Sequence, residues 1–594
     1  MATPAAAFPP TRRWIWPEAS DAGTLEKECG LSPLVARLLV RRGITTPDQA
    51  EHFLDPRLQA LADPFLLTDL RPAAERLARA LLKRETIAVF GDYDVDGVTS
   101  TALLTRVLRT LGNSHDRVKT FLPHRVAEGY GLTRAAAERC LAELRPDLLV
   151  AVDCGTSSRE EIAWITAQGV SVVVIDHHEL PAQLPVCDAL VNPHRDLHGA
   201  DLHSANACDL ASVGLVFKLC HGLLKLDPSY RERVDLRESL DLVALGTIAD
   251  LVPLRGENRI YVRHGLLRLE KTKIPGLRAL AKVAGVKHPA TPDDVGFRLG
   301  PRLNASGRLD DAGASLRLLL TDDPAEAEIL AKGLDLQNRE RQELEQKTLD
   351  EALAYLTAHF DGTEWGIVLG SRGWHVGVIG IVASRIQKLY GRPTIIIGFD
   401  EQGAGKGSGR SIEGCRIVDG LSAANDLGLL ERFGGHEMAA GLSIREEQLQ
   451  PFRAAFNGWL RESITAETLQ PRLRLDGELR VDQIDDALFH DIAKLAPFGR
   501  ENPQPVFAFR QVAMSRPPQR IKEKHLKLFL SNSSPGGSSV GTPTRGCEAI
   551  AFGFAERPMP QSPLSIAGVV EWDDYRNRVQ LRLIDWQSGA AQAA

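Results

Sequence analysis

Three apolar runs in this chain each end in acids, and that pattern constrains the fold more than any other feature. Thr86 to Phe90 runs into Gly91-Asp92-Tyr93-Asp94-Val95-Asp96-Gly97, Leu148 to Val152 ends at Asp153, and Val170 to Ile175 ends at Asp176-His177-His178. Each run is short and rich in branched apolar residues, as expected of a strand buried on both faces. Before and between them lie Leu70 to Arg84, Val98 to Leu111 and Arg159 to Gln168, which read as helices. Alternation of strand and helix implies a parallel sheet with right-handed crossovers, and therefore an α/β fold. In such sheets sites form beyond the carboxyl ends of the strands, so the three acidic endings converge on one crevice. Carboxylates that close repel one another, and a divalent cation is the natural neutraliser. A solvated acidic turn explains one such ending, but not three with a His pair. A fourth acid, Asp250, ends a largely apolar helix beginning near Leu236; alone it reads only as a turn residue.

Downstream, Asp322 to Phe360 reads as a long helical stretch, of which about 36 residues would span roughly 54 Å at 1.5 Å per residue. Its charged middle, Asn338 to Glu345, suggests a strut between domains. A second α/β pattern follows: strand Trp365 to Leu369, helix Val376 to Leu389 and strand Pro393 to Gly398. It carries the Gly-rich stretches Gly403 to Ser411 and Phe433 to Gly441, neither with Walker spacing. From about Pro471 short alternating runs, such as Leu473 to Arg480, Val506 to Arg510, Leu526 to Leu530 and Val579 to Leu583, read as a small β-barrel. Asn532 to Gly546 reads as a flexible loop within it. Near the start, Arg12-Arg13-Trp14 and Leu31 to Gly43 suggest a small helical cap.

A chain of 594 residues is too long for a single core. No apolar run reaches the length of a membrane span, and the opening residues lack a signal-peptide pattern, so the expectation is a cytoplasmic protein with no membrane partner. The eight cysteines are scattered without a C-x-x-C pair, which fits reduced thiols. With 71 basic and 77 acidic residues the net charge is −6, so any binding to a polyanion must come from local basic patches. The segment 192–211 holds His194, His198, His203 and Cys208, but their spacing fits no standard zinc pattern, and a polar surface loop is favoured.

Gly91-Asp-Tyr-Asp-Val-Asp-Gly97, Val152-Asp-Cys-Gly155, Asp176-His-His178, Ala249-Asp250 and Gly300-Pro-Arg-Leu-Asn-Ala-Ser-Gly-Arg308 resemble, in order, the catalytic-domain motifs of the DHH phosphoesterase superfamily. Gly373-Trp-His-Val-Gly-Val-Ile-Gly380, Ser408-Gly-Arg-Ser411 and Gly434-Gly-His436 resemble its associated DHHA1 domain. Pro497-Phe-Gly-Arg-Glu-Asn-Pro503 resembles the lead-in to an oligonucleotide-binding (OB) barrel. Together the motifs resemble the bacterial branch of single-strand-specific 5′→3′ DNA exonucleases. The resemblance implies a helical cap over 1–63, a DHH catalytic domain over 64–320, a connecting helix over 321–361, a DHHA1 domain over 362–468 and an OB barrel over 469–594.

Phosphodiester hydrolysis by such an enzyme uses two metal ions about 3.5 to 4 Å apart. The resemblance implies Asp94 on one ion, Asp153 between the two, and Asp96, His177 and Asp250 on the other, with Asp92 also in the ligand set. Mixed carboxylate and imidazole ligands suit Mn2+, with Mg2+ as the alternative. His178 is expected to face the scissile phosphate and Asp176 to orient its neighbours. Arg302, Asn304 and Arg308 offer donors, and the glycines around Ser408 and Arg410 would let backbone N–H groups approach an anion. These are expected to hold the 5′-terminal phosphate, with His375 and His436 as further substrate contacts. Arg516, Arg520, Lys522, Lys524 and Lys527 would meet the downstream strand. Implied partners are single-stranded DNA with a 5′ end, a single-stranded-DNA-binding protein and a repair helicase, for a monomeric enzyme releasing 5′-mononucleotides. The alternatives are another DHH phosphodiesterase, acting on nanoRNA or cyclic dinucleotides, and a catalytically inactive DNA-binding scaffold. Chain length opposes the first, and intact acids oppose the second.

Overall fold

The computed structural model describes residues 12–18, 20–112, 114–124, 128–129, 131–196, 209–309, 312–532, 546–560 and 562–588, with backbone alone at 196, 308 and 309. His198, His203, Cys208 and the loop 533–545 lie outside the described residues. The chain forms two compact units: one comprises Ala22–Arg339 with Lys494–Gln504, the other the residues up to Asp21, Glu340–Ala493 and Pro505–Ala594. No helix among the described residues is long and apolar enough to cross a membrane.

The first unit is built on five parallel strands, β1 (Ile87–Phe90), β2 (Val118–Phe121), β3 (Leu148–Val152), β4 (Ser171–Ile175) and β5 (Ala189–Val191). Their order is β2-β1-β3-β4-β5. Every residue of β1 and β3 is buried, which is why those runs carry no polar alternation. The order reverses direction between β1 and β3, and that switch point is where an open α/β sheet presents its ligand crevice. Helix α1 (Val95–Gly112) follows β1 and packs against α2 (Ser212–Leu226) and α3 (Leu240–Ala249). Further on, a π-helical turn, Val295–Leu299, leads into α4 (Gly300–Leu309).

The cap helices Pro33–Arg41 and Pro47–Leu54 start at Ser32 and Thr46 with proline in the first turn, and Thr46 forms a capping box with Gln49. The segment Lys494–Gln504 clasps this unit. Its Asn502 is buried and donates to the carbonyls of Leu495 and Pro497 at 2.9 and 2.8 Å. Buried Arg259 donates to the carbonyls of Phe53, Ala496 and Pro497 at 2.8, 2.8 and 3.3 Å.

Helix α5 (Pro324–His359) is one uninterrupted run of 36 residues, close to the expected bounds. The mid-helix polarity has a different meaning from a solvated strut: Arg341, Glu345 and Thr348 are buried, with Glu345 pairing to both Arg341 and Arg385 at 3.1 Å.

The second unit contains a sheet of β6 (Ile367–Arg372), β7 (Thr394–Phe399), β8 (Ala404–Arg410), β9 (Arg432–Gly435) and β10 (Ala439–Arg445), in the order β9-β10-β8-β7-β6. Helix α6 (Ile379–Tyr390) packs on β7 and β8. The Gly-rich run is therefore a strand paired on both sides. A Cβ at Gly405, Gly407 or Gly409 would lie 2.4, 2.9 or 2.6 Å from Phe399, Leu442 or Ile417, so the glycines admit neighbouring side chains. The expected anion nest is absent, because the backbone N–H groups of β8 are spent on the two ladders.

The same unit holds a closed barrel of β11 (Phe507–Ile521), β12 (His525–Asn532), β13 (Cys547–Ala551), β14 (Leu564–Asp573) and β15 (Arg578–Ser588). Pairing of β11 with β14, Phe507 opposite Gly568, closes it. Arg12-Arg13-Trp14, grouped with the helical cap on sequence, contributes a strand Arg13–Ile15 parallel to Arg472–Arg474. Trp14 Nε1 donates to Asp585 Oδ2 at 2.9 Å.

Candidate metal centre

The acids after β1 divide by local structure. Asp92 and Asp94 lie in the turn, whereas Asp96 sits in the first turn of α1, which begins three residues earlier than its apolar pattern suggests. Asp94 Oδ1 accepts from Gly97 N at 3.1 Å and so caps the start of the helix. Buried Asp96 reaches across to a second helix, where its oxygens accept from Ser212 N at 2.7 Å and Val213 N at 3.0 Å at the start of α2. Each carboxylate oxygen keeps a lone pair for a cation. Asp153 follows β3 with φ 63°, a left-handed turn that Asp tolerates better than most residues.

His177 stands at the middle of the cluster. Its Nε2 lies 3.3 Å from Asp153 Oδ1, 3.6 Å from Asp250 Oδ2 and 3.9 Å from Asp96 Oδ2. Three sets of side chains bring ligand-capable atoms within 4.8 Å of one another: Asp92, Asp94 and Asp153; Asp96, His177 and Asp250; and Asp153, His177 and His178. Asp153 belongs to the first and third sets and, at 3.3 Å from His177 Nε2, also lies beside the second. Asp250 is the C-cap of α3, so an acid unremarkable in sequence completes the cluster through the packing of α3 on α1.

The electrostatics show what such a cluster costs without a counter-charge. Burial, then the charges of Asp250 and Asp94, pushes the Asp96 carboxyl up to about 7. Burial and Asp94 do the same to Asp250, also to about 7. Asp153 is driven well above the usual range by burial and by Asp96, Asp94, Asp92 and Asp250. Burial lowers His177, favouring the neutral ring that can bind a metal. Asp153 Oδ1 is buried and accepts no hydrogen bond from any described residue. An orphaned buried carboxylate oxygen, ringed by acids and one neutral imidazole, fits hard or borderline divalent cations.

Asp176 is a different kind of acid. Its Oδ1 accepts from His177 N at 2.8 Å, His178 N at 3.2 Å and His178 Nδ1 at 2.7 Å, and its Oδ2 accepts from Thr156 N at 2.9 Å. Burial alone would raise it, but these donors hold it well below the ordinary carboxylate range. In return His178, despite burial, is raised to about 9 by the hydrogen bond and charge of Asp176. Two residues missed by the sequence reading brace this pair: buried Asn192 donates through Nδ2 to His178 O at 2.8 Å and to Thr156 Oγ1 at 3.1 Å. Asn192 directly follows β5, so it is a fourth polar strand ending, and that signal was available.

Helix α4 lies against the cluster. A Cβ on Gly307 would come within 2.9 Å of Tyr93 O, and one on Gly300 within 3.9 Å of Ala249 Cβ. Asn304 is half-buried on this helix, and the side chain of Arg308 lies outside the described residues. Arg302 is committed to structure: it pairs with buried Asp335 at 2.8 Å and donates to Arg298 O at 2.7 Å. In the second unit, Arg410 Nη1 donates to Ser408 Oγ at 3.0 Å, and both side chains flank Gly380 in the first turn of α6. His375 accepts from Gly377 N at 3.1 Å just before that helix, while His436 is exposed on the β9–β10 turn. On the barrel, Lys527 pairs with Glu548 at 2.7 Å and Arg520 with Glu556 at 2.9 Å, which reduces the cationic character expected there.

Fold and site together define a phosphoesterase of the DHH class. Family models match at residues 86–247 (DHH family, N-terminal domain), 355–462 (DHHA1 domain) and 475–585 (RecJ OB domain). The single-stranded-DNA-specific exonuclease RecJ of Bacillus subtilis is 36% identical over 96% of this chain and 69% of its own length. RecJ of Escherichia coli is also 36% identical, over 96% of this chain and 97% of its own. The crystal structure of Thermus thermophilus RecJ with Mn2+ superposes with a TM-score of 0.80 at 30% identity, covering 98% of this chain and 80% of that one. The chain belongs to the RecJ family.

Proposed function

We propose that this chain is a metal-dependent exonuclease that degrades single-stranded DNA from the 5′ end and releases 5′-mononucleotides. The observation that carries the reading is the buried carboxylate cluster around His177 Nε2, whose oxygens lie 3.3 to 3.9 Å from one imidazole nitrogen. Asp92 and Asp94 would hold one divalent ion, Asp96, His177 and Asp250 the other, with Asp153 shared. Mn2+ suits the donor set, and Mg2+ is the alternative. Bound there, two such ions supply charge neutralisation at the phosphate and activation of water.

The chain's own residues do the rest. Asp96, anchored by the amides of Ser212 and Val213, keeps the cluster's inner wall fixed while substrate enters. His178, kept cationic up to about pH 9 by Asp176, offers a proton or a hydrogen bond to a phosphate oxygen. Asn304 on α4 meets the strand beside the metal cluster. Ser408, Arg410 and the start of α6 receive a terminal phosphate, with His375 and His436 as neighbours. In this reading the enzyme works as a cytoplasmic monomer in repair and recombination, beside a single-stranded-DNA-binding protein and a helicase.

The test compares a single strand with its duplex in Mn2+, then in chelator. Degradation of the single strand alone, lost in chelator and in Asp153→Ala, is the expected result; chelator-resistant hydrolysis contradicts it. Arg410→Ala should lose the preference for 5′-phosphorylated ends, and an unchanged preference removes Arg410 from the scheme.

A further inference from the structure

The residue after Asp250 is unusual in two ways. Leu251 occupies the position just past the C-cap of α3 with φ 59°, where a helix ordinarily places glycine. Leu251 is 64% exposed, whereas the next residue, Val252, is buried. A left-handed backbone is unfavourable for any residue with a Cβ, and exposing leucine to water adds no stability within the chain. Strain of this kind, held beside a site, is where an intermolecular role is sought.

The turn is held from outside. Arg500 Nη1 donates to Leu251 O at 3.1 Å, and Arg500 O accepts from Leu254 N at 2.9 Å. A Cβ at Gly499 would come within 2.5 Å of Leu254 Cδ1, so only glycine lets the clasp sit this close. Arg500 is exposed, and its positive charge acts on Asp250. It has no carboxylate partner among the described residues, although acids crowd the neighbouring cluster. An exposed guanidinium with unspent donors beside an exposed apolar side chain matches the two faces of a nucleotide, phosphate and base.

We propose that Leu251 and Arg500 form a strand-positioning lip on the Asp250 side of the metal cluster, Leu251 packing against a nucleobase and Arg500 holding the adjoining phosphate. Both are positioning residues, and the assignment rests on the nuclease reading above. The lip favours an unpaired strand, because a base must be unstacked and turned toward Leu251 to make the contact.

Leu251→Gly provides the decisive variant, since glycine suits the backbone and should leave thermal stability equal or higher. Binding of a 5′-phosphorylated oligonucleotide in chelator, read by anisotropy, should weaken about three- to tenfold, and KM should rise in Mn2+ with kcat nearly unchanged. Scanning one abasic nucleotide along the strand should find a position at which wild type and Leu251→Gly bind alike. Arg500→Ala should reduce the slope of log affinity against log salt by about 1, with partial rescue in Arg500→Lys. Equal binding by Leu251→Gly and wild type, or a deficit that persists at every abasic position, overturns the lip. If wild-type protein neither binds nor degrades single strands, the nuclease reading fails and the lip with it.

Discussion

Replacing Asp250 by Asn should stabilise the metal-free protein while destroying its response to Mn2+. Asp250 is raised from 3.8 to about 7 by burial and by Asp94. A carboxyl whose folded pKa lies above its unfolded value weighs nothing below pH 4, where both states are protonated. Its penalty grows as pH rises toward the folded value and is complete above about 7. At about 1.4 kcal/mol for each tenfold change in ionisation, that penalty at pH 8 is roughly 4 kcal/mol. Asn keeps the shape without the charge, so chelated Asp250→Asn should melt about 5–10 °C above chelated wild type at pH 8. At pH 4 the two should melt together. Mn2+ at a hundredfold excess over its Kd should stabilise wild type by about 2.7 kcal/mol at pH 8 and the variant much less. Thermal melts across pH, with chelator and with Mn2+, decide the matter. Parallel loss of stability by the metal-free proteins between pH 4 and pH 8, or equal stabilisation of both by Mn2+, would refute this role for Asp250.

Asp176→Asn removes the charge that holds His178 protonated to about pH 9, so activity should fall about 10- to 100-fold and its alkaline limit move to lower pH; an unshifted pH–rate profile contradicts this role. Gly246→Ala places a Cβ 2.7 Å from Asp96 Oδ1 and 2.5 Å from Thr99 Oγ1, so kcat should drop at least tenfold for about 1–3 kcal/mol of stability, measured by kinetics beside urea melts. Arg259→Ala deletes three hydrogen bonds to carbonyls and the stacking of its guanidinium 3.7 Å above Phe53. It should cost about 3 kcal/mol in urea denaturation.

Much of the catalytic unit was legible because its strands are buried on both faces and announce themselves as unbroken apolar runs. β3 matches its sequence bounds, and the convergence of Asp92, Asp153 and His177 follows from parallel topology alone. Asp250 was harder: no local pattern links the end of α3 to β1, and only helix packing brings them together. The resemblance puts Asp96 on a metal, but its other duty, anchoring the start of α2 116 residues away, leaves no trace in spacing. The Gly-rich run at β8 misled for a clear reason. Glycines that admit Phe399 and Leu442 look the same in sequence as glycines that admit a phosphate. Clasp residues such as Arg500 and Asn502 belong by motif to the barrel's lead-in, yet their contacts lie in the catalytic unit.

The central claim is most directly tested with one 5′-phosphorylated single strand labelled separately at each end and digested in Mn2+. Immediate release of the 5′ label as a mononucleotide is expected, with the 3′ label retained on steadily shortening strands. Early release of the 3′ label, or internal cleavage into long fragments, would contradict it.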